Sequence, residues 1–341
     1  PCCSFRGAIV ALDARSGDEL WRRHFIPPAQ RSGVNAAGTE QYGPSGVPIW
    51  AGMAMDADHL YIATGDDYSG EGSEASDAIV ALDKVSGRTV WVRQARFGDV
   101  WNGSCENIDP VNCPSDNGPD YDYGAGPVIS MDSKGRRIIL AGDKGGVVTA
   151  MLAETGESLW KTKVGRGGVV AGINFGLAAY DGKVFVPISD VPDGRVYDEP
   201  ARPGVYALNV DNGEYVWRAP AGKDVCNGRP GCNPGYSAAI SVTEDYVLAG
   251  SNEGWLRAFD INNGQVLWEF DTTDAFTAVD GRTARGGSIG GGQAPLVVGD
   301  RLILNSGYAF AGKMPGNALL VLRLPPNQAQ VAQKSTKRVA K

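Results

Sequence analysis

The 341-residue chain carries 32 basic and 39 acidic side chains, a net charge of −7. That balance lacks the basic footprint of a nucleic-acid binder, and no apolar run approaches the ~20 residues that a membrane-spanning helix needs. With 43% hydrophobic residues, 47 glycines and 20 prolines, the composition is that of a globular protein built from short strands and tight turns, and sustained 3.6-residue apolar periodicity is missing.

One phrase recurs along the chain. It runs from Gly7 to Trp21 as an apolar strand, an Asp-x-x-Ser-Gly turn and a second strand closed by tryptophan. It returns before Trp91, and looser copies end at Trp160, Trp217 and Trp268, at intervals of 70, 69, 57 and 51 residues. Each copy predicts a β-hairpin. The repeated tryptophans are expected to pack neighbouring units, and Asp13, Asp83 and Asp260 to accept hydrogen bonds from turn amides. Between the hairpins, residues 59–64, 137–142, 183–188, 246–250 and 301–304 are β-prone runs, and a last strand is expected over 318–324. Repetition of this kind marks a radial or stacked architecture. Because propeller blades take about 40–45 residues, the surplus goes into long loops, where function on a repeat scaffold resides. Residues 1–326 are expected to form a partial β-propeller of about five to six blades, and the polar stretch 327–341 a disordered tail. The chain starts at Pro1 with the first repeat almost immediately, so earlier blades are expected to precede it.

Six cysteines form three close pairs, Cys2/Cys3, Cys105/Cys113 and Cys226/Cys232. Local pairs in Gly/Pro/Asn-rich loops favour disulfides and an oxidising compartment over zinc, since neither His24 nor His59 lies near a pair and no Cys-x-x-Cys spacing occurs. Neighbouring cysteines such as Cys2 and Cys3 bridge only with strain. The two histidines have no partners that suggest a catalytic triad. Arg6 is expected to be a structural arginine beside a strand.

The repeats resemble the tryptophan-docking motifs of the pyrroloquinoline quinone (PQQ) dependent alcohol dehydrogenases, which are all-β, eight-bladed propellers. Gly46-Val47-Pro48-Ile49-Trp50, Asp56 and Tyr61-Ile62-Ala63-Thr64-Gly65-Asp66 resemble the floor of the cofactor site. Gly98-Asp99-Val100-Trp101 resembles the element that carries the catalytic base. Gly142-Asp143-Lys144-Gly145-Gly146 and Gly172-Ile173-Asn174-Phe175 resemble two further cofactor-contacting segments, with Phe175 where the family usually has tryptophan. Cys2-Cys3-Ser4-Phe5-Arg6-Gly7, Trp101-Asn102-Gly103-Ser104-Cys105-Glu106, Asn112-Cys113-Pro114 and the run from Gly118 to Ala125 are similar to the polyvinyl-alcohol dehydrogenase branch. The resemblance covers Cys2 to Pro325.

It implies a quinoprotein alcohol dehydrogenase that holds PQQ and Ca²⁺, in the periplasm or secreted. Asp99 would be the general base, Asp66 a calcium ligand with Asp67 the weaker candidate, Trp50 the stacking floor, and Lys144 and Asn174 hydrogen-bonding partners of the quinone. A further acidic calcium ligand would precede Cys2. The substrate would be a secondary alcohol of the polyvinyl-alcohol kind. Electrons would pass to a cytochrome c that is a separate protein or a lost domain, because no Cys-x-x-Cys-His is present here. Two rivals share the repeat: a non-catalytic scaffold of outer-membrane assembly, and a quinoprotein acting on sugars or aldehydes. Co-occurrence of Trp50, Asp66, Asp99 and Lys144 separates the enzyme from the scaffold.

Overall fold

The computed structural model describes residues 4–106, 111–115, 117–222 and 225–323. They contain 3₁₀ turns at Gly103–Glu106 and Phe310–Gly312, and otherwise strands. Four sheets have four antiparallel strands each. The first blade comprises Ala54–Met55, His59–Ala63, Ala78–Asp83 and Thr89–Gln94. The second comprises Val128–Met131, Arg137–Gly142, Val147–Leu152 and Ser158–Lys163. The third comprises Ala178–Tyr180, Lys183–Ile188, Gly204–Asn209 and Tyr215–Pro220, and the fourth Ser241–Val242, Tyr246–Gly250, Trp255–Asp260 and Val266–Asp271. An entry hairpin, Ala8–Leu12 with Glu19–His24, precedes them. A three-stranded sheet, Leu296–Val298, Arg301–Ser306 and Ala318–Arg323, follows. These units form a partial propeller, in agreement with the expected fold and blade number.

The repeat accounts for the architecture. In every hairpin the tryptophan pairs across the ladder with an alanine: Trp21 with Ala11, Trp91 with Ala81, Trp160 with Ala150, Trp217 with Ala207 and Trp268 with Ala258. A register shift follows each pair, which twists the strand end toward the next unit. Trp91 then donates from Nε1 to Ala153 O at 3.0 Å in the second blade, and Trp160 to Val210 O at 2.8 Å in the third. Trp21 and Trp217 dock likewise on Lys84 O and Ile261 O. The ring lies flat on the turn glycine of the receiving blade. At Gly156, φ is +68° and a Cβ would fall 2.6 Å from Trp91 Cδ2, so only glycine fits. Trp268 is 41% exposed and instead stacks on Phe270 at 6.0 Å. The turn aspartates behave as expected. Asp83 Oδ1 accepts from Ser86 N at 2.7 Å, and Asp13 and Asp260 do the same in their turns.

Apolar side chains fill the spaces between successive sheets. Ile138, Leu140 and Val148 meet Val184, Val186 and Ile188, and Phe185 and Val205 meet Val247 and Phe259. Dry inter-blade cores of this kind hold the sheets in a fixed radial order. Disulfides join Cys105 to Cys113 and Cys226 to Cys232. Cys2, Cys3 and residues 327–341 lie outside the described residues. Arg6 donates to Ile26 O at 3.3 Å, a structural role. His24 approaches Gly7 O and His59 approaches Asp56, so neither belongs to a triad. Among the described residues no helix is long and apolar enough to cross a membrane.

Candidate active site

The loops at one end of the blades enclose a cavity of about 310 Å³. Trp50, Asp66, Lys144 and Asn174, the four expected metal- and cofactor-binding residues, all line it. They come from three sequence-distant regions, and the long inter-strand loops bring them together. Trp50 is 41% exposed, with Phe175 set edge-on to it at 5.9 Å. Its ring packs over Gly124, where a Cβ would fall 2.6 Å from Trp50 Cη2 and 2.4 Å from Asn174 O. That close approach fixes the aromatic floor while leaving a face open. Asn174 donates from Nδ2 to Val170 O at 3.3 Å.

The opposite character comes from carboxylates. Asp66 is buried at the end of the strand His59–Ala63, its N–H donating to Asp122 Oδ1 at 2.8 Å. Lys144 leaves the turn after Arg137–Gly142 and donates from Nζ to Asp120 Oδ1 at 2.6 Å and Asp122 Oδ2 at 2.9 Å. Burial opposes its charge, but Asp122 and Asp120 more than reverse this and hold its pKa above the ordinary lysine value. Burial pushes Asp66 well above the usual carboxylate range, and the charge of Asp122 pushes the same way. Asp120 is raised by burial against the pull of Lys144. One carboxylate oxygen each from Asp66, Asp120 and Asp122 lies within 4.8 Å of the others, and Asp66 Oδ1 has no hydrogen-bond donor among the described residues. An all-oxygen, acidic donor set of this span fits a hard cation such as Ca²⁺. The residues present therefore fit the metal and the planar cofactor that the sequence implies.

Asp99 stands elsewhere. It does not line the cavity. It is fully buried behind the floor, where Oδ1 accepts from Asp120 N at 3.0 Å and Oδ2 from Tyr121 N at 2.9 Å. Burial raises it, and the two amides partly offset that. Asp120 has φ +65°, a conformation that a non-glycine residue rarely adopts. The two amide bonds fasten the backbone there, so the geometry of Asp99 is that of a clamp on the loop bearing Asp120 and Asp122. Asp67 is also buried away from the cavity and accepts from Ser73 N.

The sequence reading missed Asp120 and Asp122. The available signal was the Asp120-Tyr121-Asp122 alternation, which puts two carboxylates two residues apart in a loop bounded by Gly118-Pro119 and Gly124. It also missed Tyr308, Phe310 and Lys313, which close the cavity from the end of the chain. Lys313 is 6% exposed, its ammonium lies 5.9 Å from the Tyr308 ring centroid, and burial pulls its pKa down to about 8.

Comparison with known proteins agrees with this geometry. A family model described as glucose/ethanol/alcohol dehydrogenase, beta-propeller domain, matches residues 3–108, and one described as outer membrane protein assembly factor BamB matches 98–311. A polyvinylalcohol dehydrogenase of a Pseudomonas species is 37% identical over 324 residues, covering 93% of this chain and 49% of the relative. One from Sphingopyxis sp. (strain 113P3) is 35% identical, covering 90% and 48%. The chain thus spans about half the length of these relatives. The quinohemoprotein alcohol dehydrogenase of Comamonas testosteroni superimposes with a TM-score of 0.61 at 17% identity, over 94% of this chain and 58% of that one, which is a likeness of fold. On the two family matches and the identity to polyvinylalcohol dehydrogenases, the chain belongs to the PQQ-dependent alcohol dehydrogenase family.

Proposed function

We propose that the chain carries the PQQ- and calcium-binding half of an alcohol dehydrogenase that oxidises a secondary alcohol, polymeric in the polyvinyl-alcohol manner, and passes electrons to cytochrome c in the periplasm or outside the cell. The observation that carries this reading is the meeting of an open aromatic face, Trp50, with a buried carboxylate–lysine cluster in one cavity. Bound PQQ supplies the acceptor for the hydride of the alcohol carbon, and calcium the Lewis acid.

Trp50 and Asn174 would hold the cofactor, and Asp66 and Asp122 the metal. Asp120, in place of Asp99, would take the hydroxyl proton, since its carboxylate reaches the cavity and burial raises its affinity for a proton. Lys144 would keep Asp120 oriented. Phe175, Tyr308 and Phe310 give the wall an apolar surface that suits a carbon chain and excludes water.

The assay is dye-linked oxidation of primary and secondary alcohols by the full-length parent of this chain after loading with PQQ and Ca²⁺. The expected result is turnover that falls at least ~100-fold in Asp120→Asn while the unfolding temperature is kept. Absence of turnover on every alcohol removes the enzymatic reading. It would leave the scaffold reading, which the match of residues 98–311 to the assembly-factor family supports.

A further inference from the structure

Behind the cavity floor lies a second group of carboxylates. Oxygens of Asp66, Asp77 and Asp99 lie within 4.8 Å of one another, about twice a calcium–oxygen bond. All three residues are buried, with at most 2% exposure. Both oxygens of Asp77 and Oδ1 of Asp66 lack any hydrogen-bond donor among the described residues. Asp77 has its backbone pinned from both sides, its N–H donating to Gly65 O at 3.2 Å and its carbonyl accepting from Ala95 N at 2.8 Å. Its position is therefore fixed, and its oxygens cannot swing to water.

Among the described residues no cation pairs with these charges. Lys144 is taken by Asp120 and Asp122, and Arg96 acts on Asp99 only from beyond ion-pair distance. An uncompensated buried charge is strongly destabilising, and three together are not sustained without a neutralising partner.

We infer that Asp66, Asp77 and Asp99 form an inner site for a hard divalent cation, with Ca²⁺ the best match to oxygen-only ligands, distinct from the cavity-facing set of Asp66, Asp120 and Asp122. Asp66 belongs to both groups and bridges them. With all five buried carboxylates ionised, the one lysine leaves four negative charges, which two divalent ions would neutralise. The inner ion would lock the loop containing Asp77 to the strand end at Asp66 and to the Asp99 clamp. Its role is structural, and it stands on carboxylate geometry independently of the alcohol dehydrogenase reading.

The test uses the full chain, stripped with a chelator and titrated with Ca²⁺ alone, in calorimetry and thermal unfolding without PQQ or alcohol. The wild type is expected to bind Ca²⁺ and to gain about 5 °C in Tm at a hundredfold excess over Kd. Asp77→Asn keeps the side-chain size but removes a ligand charge. It should weaken binding at the inner site at least ~10-fold, raise the Tm of the calcium-free protein by relieving repulsion, and cut the Ca²⁺ response to what the cavity-facing set alone supplies. Asp122→Asn, which removes no ligand of the inner set and keeps an amide oxygen for the Asp66 N–H, should retain the inner ion. Loss of binding in Asp122→Asn with retention in Asp77→Asn would put the ion in the cavity and overturn the inner site. A wild type that emerges from gel filtration in calcium buffer with no bound metal, a measurement that needs no variant, would overturn it as well, leaving protons to neutralise the cluster.

Discussion

Lys144 Nζ and Asp120 Oδ1 meet at 2.6 Å in a place where both residues are almost sealed from water. The contact joins the turn that ends the second strand of the second blade to the loop that enters that blade. It also sets the charge of the cavity, because the same ammonium holds Asp122.

Replacing Lys144 by methionine follows directly from that geometry. Two buried carboxylates lose the one ion-pair partner they have among the described residues, and breaking a buried pair from one side costs about 3–5 kcal/mol. Urea denaturation should show a loss of that size, partly recovered when Ca²⁺ is added. Asp120→Asn, which removes a charge from a crowded acidic site, should leave stability nearly unchanged. A Lys144→Met variant as stable as the wild type would mean that the ion pair does not organise the site.

Asp99 offers a sharper separation of roles. As a clamp it accepts two amides, and an asparagine can accept only one of them, since its Nδ2 would face another donor. Asp99→Asn is therefore expected to lose about 1–3 kcal/mol and to loosen the loop around Asp120. Turnover should fall together with Tm and recover partly at lower temperature. A variant with wild-type Tm and abolished turnover would restore Asp99 as the base.

The propeller's stiffness rests on tryptophan docking, and Gly156 tests it. An alanine there must adopt a φ of +68° and place its methyl within van der Waals distance of the Trp91 ring. Left-handed strain of ~1–2 kcal/mol and overpacking of ~1–3 kcal/mol add to about 2–5 kcal/mol. Gly135 has φ +74° with open space around it, so Gly135→Ala should show the strain alone, ~1–2 kcal/mol. Chemical denaturation of the two variants side by side separates docking from backbone preference.

The hairpins were legible because each is a local object. Strand, turn and tryptophan lie within about fifteen residues, and the partner of Trp91, the turn at Gly156, belongs to the next copy of the same phrase. Trp50, Asp66, Lys144 and Asn174 were picked out by resemblance, and the structure gathers them on one cavity. What misled at Asp99 was a true spacing with a hidden orientation. The Asp-x-Trp element does approach the site, but its carboxylate turns to the amides of Asp120 and Tyr121. Nothing in the local pattern reveals which way a side chain turns in a loop. Tyr308, Phe310 and Lys313 were invisible for a topological reason: only closure of the blades brings the chain's end beside Trp50.

Lys313 has a pH signature with a definite sign. Its folded pKa is about 8 and that of an unfolded lysine near 10.5, the lowering being due to burial. Below pH 8 both states carry the proton, and the folded state bears the full cost of a buried ammonium. Between pH 8 and 10.5 the unfolded chain keeps the proton while the folded one releases it, so stability from this group rises with pH. The shift corresponds to about 3 kcal/mol. Lys313→Met, which fills the same space without charge, should therefore be more stable than the wild type at pH 7 by up to that amount. The advantage should shrink through pH 8–10.5, and comparing the two proteins cancels the tyrosines that titrate nearby. Lys313→Arg, which cannot release its proton in this range, should show no such closure. A constant gap between Lys313→Met and the wild type from pH 7 to 10.5 would place the Lys313 ammonium in contact with water or with an anion, and remove it from the apolar wall of the cavity.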